Sequence, residues 1–166
     1  MTRAATAPRT AATGDIGSPR RAALTLTLQV ATRSRRLPAP ARLRRWARAA
    51  LAQPAQVTLR IVGEREGESL NREFRRKPAA TNVLTFCYEQ EGILAGDIVL
   101  CAPVIAREAR AQGKPLDAHY AHLTVHGLLH LQGYDHGRAR EARIMESTEV
   151  AILRKLGFRN PYAMED

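Results

Sequence analysis

Past the first two dozen residues, apolar and polar positions alternate: Leu24, Leu26, Leu28 and Val30 are separated by Thr25, Thr27 and Gln29, the two-residue period of a half-buried strand over 23–30. Over 41–52 the period changes. Leu43, Trp46, Ala50 and Leu51 recur at helical spacing, Arg42, Arg44, Arg45 and Arg48 fill the remaining surface, and Pro54 ends the segment. This predicts a basic amphipathic helix that packs on the core or touches a polyanion. Further along, 57–62 reads as a second strand, 68–74 as a short helix, 82–86 as a third strand and 97–100 as a fourth. Helices then dominate: 103–112 with Pro103 at its start, 117–131 with an acidic start, and 141–156 closing at Gly157. Strands early and helices late predict an α+β fold, a small mixed sheet of about four strands with helices packed on one face.

Residues 1–22 show no such period. They are rich in Ala, Thr, Arg, Pro and Gly, a composition that buries too little surface to offset ordering entropy, so a disordered basic tail is expected before a single domain at 23–166. At 166 residues and 45% hydrophobic content the chain can build one core. Its apolar runs fall short of the ~20 residues that cross a bilayer, so no membrane span is expected. Two cysteines, Cys87 and Cys101, are too few for a thiolate metal cage or a disulfide framework; both are expected to be buried on strands, in a reducing, cytoplasmic setting. The net charge of +10 is unevenly spread. Residues 1–62 hold twelve Arg and one acid, whereas 63–166 are close to neutral, so the excess that could grip a polyanion lies outside the segment richest in candidate chemistry.

That chemistry rests on histidine. All five, His119, His122, His126, His130 and His136, fall within eighteen consecutive residues. On a helix, His126 and His130 sit one turn apart on one face and can point at one ion. Gly133, three residues after His130, permits a left-handed turn that stops the helix and brings His136 back. Three neutral imidazoles leave a tetrahedral Zn²⁺ with one open position for water, whose pKa then falls toward about 7; one catalytic zinc ion per chain is the expectation. His119, His122 and Asp135 are expected to support these ligands or to touch substrate.

The same spacing occurs in the metzincin peptidases, which makes the metal helix near the C-terminus zincin-like. Their general base is a Glu directly after the first His, and here that position is Gly127. A metallopeptidase is therefore the second reading, open only if another acid such as Glu108 or Asp97 lies beside the metal. A third reading is a non-catalytic assembly factor with a structural metal, which needs a fourth protein ligand from His122, Asp135 or Cys101.

The run from His126 to His136, His-Gly-Leu-Leu-His-Leu-Gln-Gly-Tyr-Asp-His, resembles the signature of the YbeY family of bacterial rRNA maturation factors. Residues 70–77 followed by 81–86, and 96–101, resemble two further blocks of that family in the same order. The family pattern departs at Pro78, Ala80 and Cys87, which concern the shape of the loop. The resemblance implies a single-metal, single-strand-specific endoribonuclease acting in small-subunit rRNA 3′-end maturation and ribosome quality control. Its implied partners are single-stranded rRNA, the small ribosomal subunit and assembly factors of that subunit. Arg75 matches the family's functional arginine and Lys77 a nearby lysine, so both are implied as catalytic. A guanidinium suits that task because it can clamp a phosphate through two parallel hydrogen bonds.

Overall fold

The structure, a computed structural model, describes residues 23–77 and 79–163. The expected tail at 1–22 lies outside the described residues. In chain order the elements are β1 (Leu24–Ala31), α1 (Pro40–Ala49), β2 (Ala55–Val62), α2 (Glu64–Arg75), β3 (Val83–Gln90), β4 (Ile93–Cys101), α3 (Ala102–Ala111), α4 (Leu116–Leu131) and α5 (Ala139–Lys155). The four strands form one mixed sheet in the order β1-β2-β4-β3. β1, β2 and β4 run parallel, and β3 pairs antiparallel with β4 at the edge. The α+β reading with a four-stranded mixed sheet is borne out.

Alternation along the strands divides the sheet into two faces. Leu24, Leu26 and Leu28 of β1, Val57, Leu59 and Ile61 of β2, and Ile98 and Leu100 of β4 point to the main core, which α1, α4 and α5 complete. Burial of these side chains is the main driving force, about 1.5–3 kcal/mol for each fully buried Leu, Ile or Val. α4 is the central helix: it packs on β3 and β4, and α1, α3 and α5 pack on it. Its burial therefore extends nearly all round, from Tyr120 and Ala121 to Leu128 and Leu129.

Not every helix lies on that face. Leu70 of α2 joins Val62, Leu84, Val99 and Cys101 in a second cluster on the opposite face, while α3 straddles the two, giving Ile105 to one cluster and Val104 to the other. The expectation of helices on one face thus fails for α2. Its residues 67, 70, 71 and 74 present the inward stripe of an amphipathic helix to the strand residues that the main core leaves uncovered.

α2 also starts four residues before the expected 68. Gly67 lies within it, and a Cβ there would lie 2.9 Å from Cys101 Sγ, so glycine is what lets the helix approach the sheet. β3 and β4 are longer than expected because they form a two-residue hairpin, with Gln90 opposite Ile93 and positive φ at Glu91 (52°) and Gly92 (75°). Of the two cysteines, Cys101 is buried, but Cys87 is exposed. Cys87 lies on the edge strand where α4 ends, and its Sγ reaches only the Leu131 carbonyl, at 3.5 Å.

Candidate metal centre

Two devices fix the end of α4, from which the candidate ligands project. Gly133, at φ 96°, closes the helix with its own N–H bonded to the His130 carbonyl and the Tyr134 N–H bonded to the Leu129 carbonyl. This double closure needs a left-handed residue, which glycine adopts without a Cβ penalty. The Gln132 side chain then ties the helix end to the end of α1: its amide nitrogen donates to the Ala50 carbonyl (2.6 Å) and its oxygen accepts from the Ala52 N–H (2.9 Å). Beyond the turn, Asp135 Oδ1 accepts the backbone N–H groups of His136 (2.7 Å) and Gly137 (3.3 Å), which shapes the segment carrying the third imidazole. The His136 N–H above all holds the exposed Asp135 carboxyl below its ordinary range.

The three imidazoles converge. Ring centroids lie 4.6 Å apart for His126 and His130, 4.9 Å for His130 and His136, and 5.6 Å for His126 and His136. One nitrogen from each falls within 4.8 Å of the others, a separation that lets all three bind one ion. Burial, then the neighbouring His126 and His136, pushes the His130 pKa down, which keeps its ring in the neutral form a metal requires.

A residue that the sequence reading passed over completes the site. Glu149 of α5 is fully buried, and its Oε1 accepts from His126 Nδ1 at 2.5 Å while Oε2 meets His122 Nε2 at 2.9 Å. The Tyr162 hydroxyl also donates to Oε2. Burial alone would raise the Glu149 carboxyl, but the bonds from His122, His126 and Tyr162 outweigh it and hold the pKa at about 2. With Nδ1 engaged, Nε2 is the His126 atom left for a metal. Bonding of this kind sets the tautomer and the ring orientation of a ligand histidine. A signal did exist in the sequence: Glu149 falls between Met145 and Leu153 on the buried stripe of α5, where an unpaired acid would be very costly.

The other sequence candidates are dispersed. His122 belongs to the Glu149 network, whereas His119, one turn nearer the start of α4, is buried beside Glu108 at 3.5 Å. Glu108 also accepts from Asn82 at 3.2 Å. Arg75 and Lys77 are exposed, on α2 and just after it, and among the described residues no hydrogen bond or ion pair joins either to a histidine.

This arrangement weakens both competing readings. Glu108 is held by α3 near His119, and Asp97 lines a cavity on the other face of the sheet, so neither stands in for the missing peptidase base. Position 127 faces the sheet, where a Cβ would meet Ile98 at 3.1 Å. For a fourth protein ligand, His122 is committed to Glu149, Asp135 to two backbone N–H groups, and Cys101 lies across the sheet near Gly67.

Comparison with known proteins agrees with this geometry. The family model for endoribonuclease YbeY matches residues 30–157. An endoribonuclease YbeY from Nitrosomonas europaea is 55% identical over 142 residues, spanning 86% of this chain and 87% of the relative. One from Aromatoleum aromaticum is 56% identical over 144 residues, spanning 86% and 94%. In fold, the chain is similar to the solution structure of a Thermotoga maritima protein, with a TM-score of 0.52 at 20% identity, covering 84% of this chain and all of that one. The histidine signature, its convergence in space and the matched 30–157 span point the same way, and the chain belongs to the YbeY family of endoribonucleases.

Proposed function

We propose that this endoribonuclease cuts single-stranded ribosomal RNA using one zinc ion held by His126, His130 and His136. Family membership makes the chain a nuclease of rRNA processing; the zinc, the small ribosomal subunit and its assembly factors as partners, and a cytoplasmic setting belong to our reading. No helix among the described residues is long and apolar enough to cross a membrane.

The observation that carries the proposal is the three-imidazole set with ligand atoms within 4.8 Å and Glu149 behind His126. Three neutral nitrogens suit zinc with a position to spare, and such an ion when bound supplies Lewis acidity and a water acidified toward neutrality. The chain's own residues do the rest. Glu149 holds the His126 ring in place and keeps Nε2 free of the proton. The Gly133 turn and the Asp135 carboxylate place His136 so that its ring faces the other two. Arg75 and Lys77, exposed and cationic, grip phosphates of the strand.

The test is cleavage of a single-stranded rRNA fragment before chelation, after chelation, and after zinc is restored. We expect activity to vanish and return; cleavage that survives complete metal removal would rule the reading out. A fragment with a single 2′-deoxy linkage then separates attack by water, which still cuts that bond, from attack by the ribose hydroxyl, which cannot.

A further inference from the structure

The sheet face opposite α4 carries a cavity of about 630 Å³ between α2 and the strands, to which the mechanism above assigns no role. Three aromatic rings line it: Phe74 of α2 and Phe86 and Tyr88 of β3. Phe74 is 55% exposed and Tyr88 44%, so two of the largest solvent-facing apolar side chains among the described residues open onto one cavity. The Phe74 and Phe86 rings meet edge to face, with centroids 4.9 Å apart.

The one cation that lines this cavity is already paired. The Arg60 guanidinium bonds twice to Glu66, at 2.7 and 3.1 Å, and once to Gln29 at 3.1 Å. Asp97 lines the same cavity as Tyr88, and its carboxylate above all pushes the tyrosine up to about 12. The interior therefore offers aromatic surface, a paired guanidinium and the Asp97 carboxylate, which suit a flat, uncharged ring better than a phosphate. Cations follow the aromatic ring of α2 along the chain: Arg75, Arg76 and Lys77, directly after Phe74, are exposed, and among the described residues none lies within ion-pair distance of a carboxylate. Stacking rings together with exposed cations is the combination that binds unpaired nucleic acid, bases on the rings and backbone on the charges.

We propose that this cavity receives one unstacked base of the RNA strand, stacked against Phe74 and Tyr88, while the cations at the end of α2 hold the neighbouring phosphates. The site would anchor the strand on the sheet face away from the histidines and favour single strands, whose bases are free to leave the stack. This inference rests on the endoribonuclease reading and names where part of its substrate sits.

The experiment uses the full chain and a fully 2′-O-methylated single-stranded adenine oligonucleotide, which lacks the free 2′ hydroxyl. The only tryptophan, Trp46, is 3% exposed, so Phe74→Trp adds a reporter that is distinct from it. We expect the fluorescence of this reporter to be quenched, saturably, by the oligonucleotide. The Phe74→Ala/Tyr88→Ala pair should weaken binding by about 5- to 100-fold, with metal content unchanged, and Phe74→Tyr should restore most of the affinity in the presence of Tyr88. If wild type binds while the Phe74→Trp reporter stays unquenched and the alanine pair binds equally well, the base site is wrong and the nuclease reading survives. If wild type binds no single-stranded oligonucleotide, both fall. Should the alanine pair fail to fold, the Phe74→Trp titration decides alone.

Discussion

Glu149 Oε1 sits 2.5 Å from His126 Nδ1, so a buried carboxylate on α5 governs how a candidate ligand on α4 presents its other nitrogen. The same carboxylate holds His122 at 2.9 Å, which makes it the joint between the last helix and the metal helix. Removing a charge that is fully buried and bonded on both oxygens should be felt first in metal binding.

Glu149→Gln should therefore lower zinc affinity by about 10- to 100-fold, because the amide accepts through one oxygen only and turns an N–H toward a ring nitrogen. Competition against a zinc-sensitive chelator reads this directly. An unchanged affinity in a folded variant would make Glu149 a packing residue with no hold on the metal.

Acid should weaken the fold in a window to which His119 contributes. Burial pushes its pKa below the usual 6.5, with Glu108 only partly opposing. Between that lowered value and 6.5 the unfolded chain binds a proton that the folded chain refuses, so stability falls as pH falls through this range. Urea midpoints for wild type should drop from pH 7.5 to 5.5, and His119→Gln should show a smaller drop. Parallel curves for the two proteins would remove His119 from the account.

The approach of α4 to the sheet depends on two glycines. A Cβ at Gly96 would lie 2.5 Å from Leu131 Cδ2 and 2.7 Å from the Phe86 carbonyl oxygen, whereas one at Gly127 would meet Ile98 at 3.1 Å. Gly96→Ala should cost about 1–3 kcal/mol, as overpacking in a filled core does. Gly127→Ala should cost less, since about 1 kcal/mol of helix propensity offsets the squeeze. Denaturation midpoints of the two variants check this order.

The convergence of the three imidazoles was legible because their relationship is local. His126 and His130 are one helical turn apart, and Gly133 marks where the chain must reverse, so spacing and one backbone requirement predicted the convergence that the ring distances display. Glu149 stayed hidden because its partnership is tertiary: it lies 23 residues past His126 on another helix, and no local period links them. The placement of α2 on the second face was missed for a related reason. An amphipathic stripe shows that a helix has a partner, not which side of the sheet supplies it. Cys87 misled because a cysteine on a strand reads as buried, and only the edge position of β3 exposes it.

Arg75 at the end of α2 and Lys77 just after it are both exposed, so substituting either should spare the metal and harm the handling of RNA. If Arg75 steadies the reacting phosphate, Arg75→Ala lowers kcat with little change in KM; if it grips the flanking strand, KM rises instead. Lys77→Ala should act more weakly than Arg75→Ala, because an ammonium lacks the paired geometry of the guanidinium. Steady-state kinetics on one single-stranded fragment separate these cases.

The central claim is that His126, His130 and His136 hold the metal on which cleavage depends. The most direct measurement takes wild type, His130→Ala and Arg75→Ala, each freshly purified, and determines metal content and cleavage of single-stranded rRNA fragments side by side. Wild type should carry about one ion per chain and cut, His130→Ala should lose both metal and cleavage, and Arg75→Ala should keep the metal while cleavage falls. Equal cleavage by all three would contradict it and place the activity at another site or in another protein.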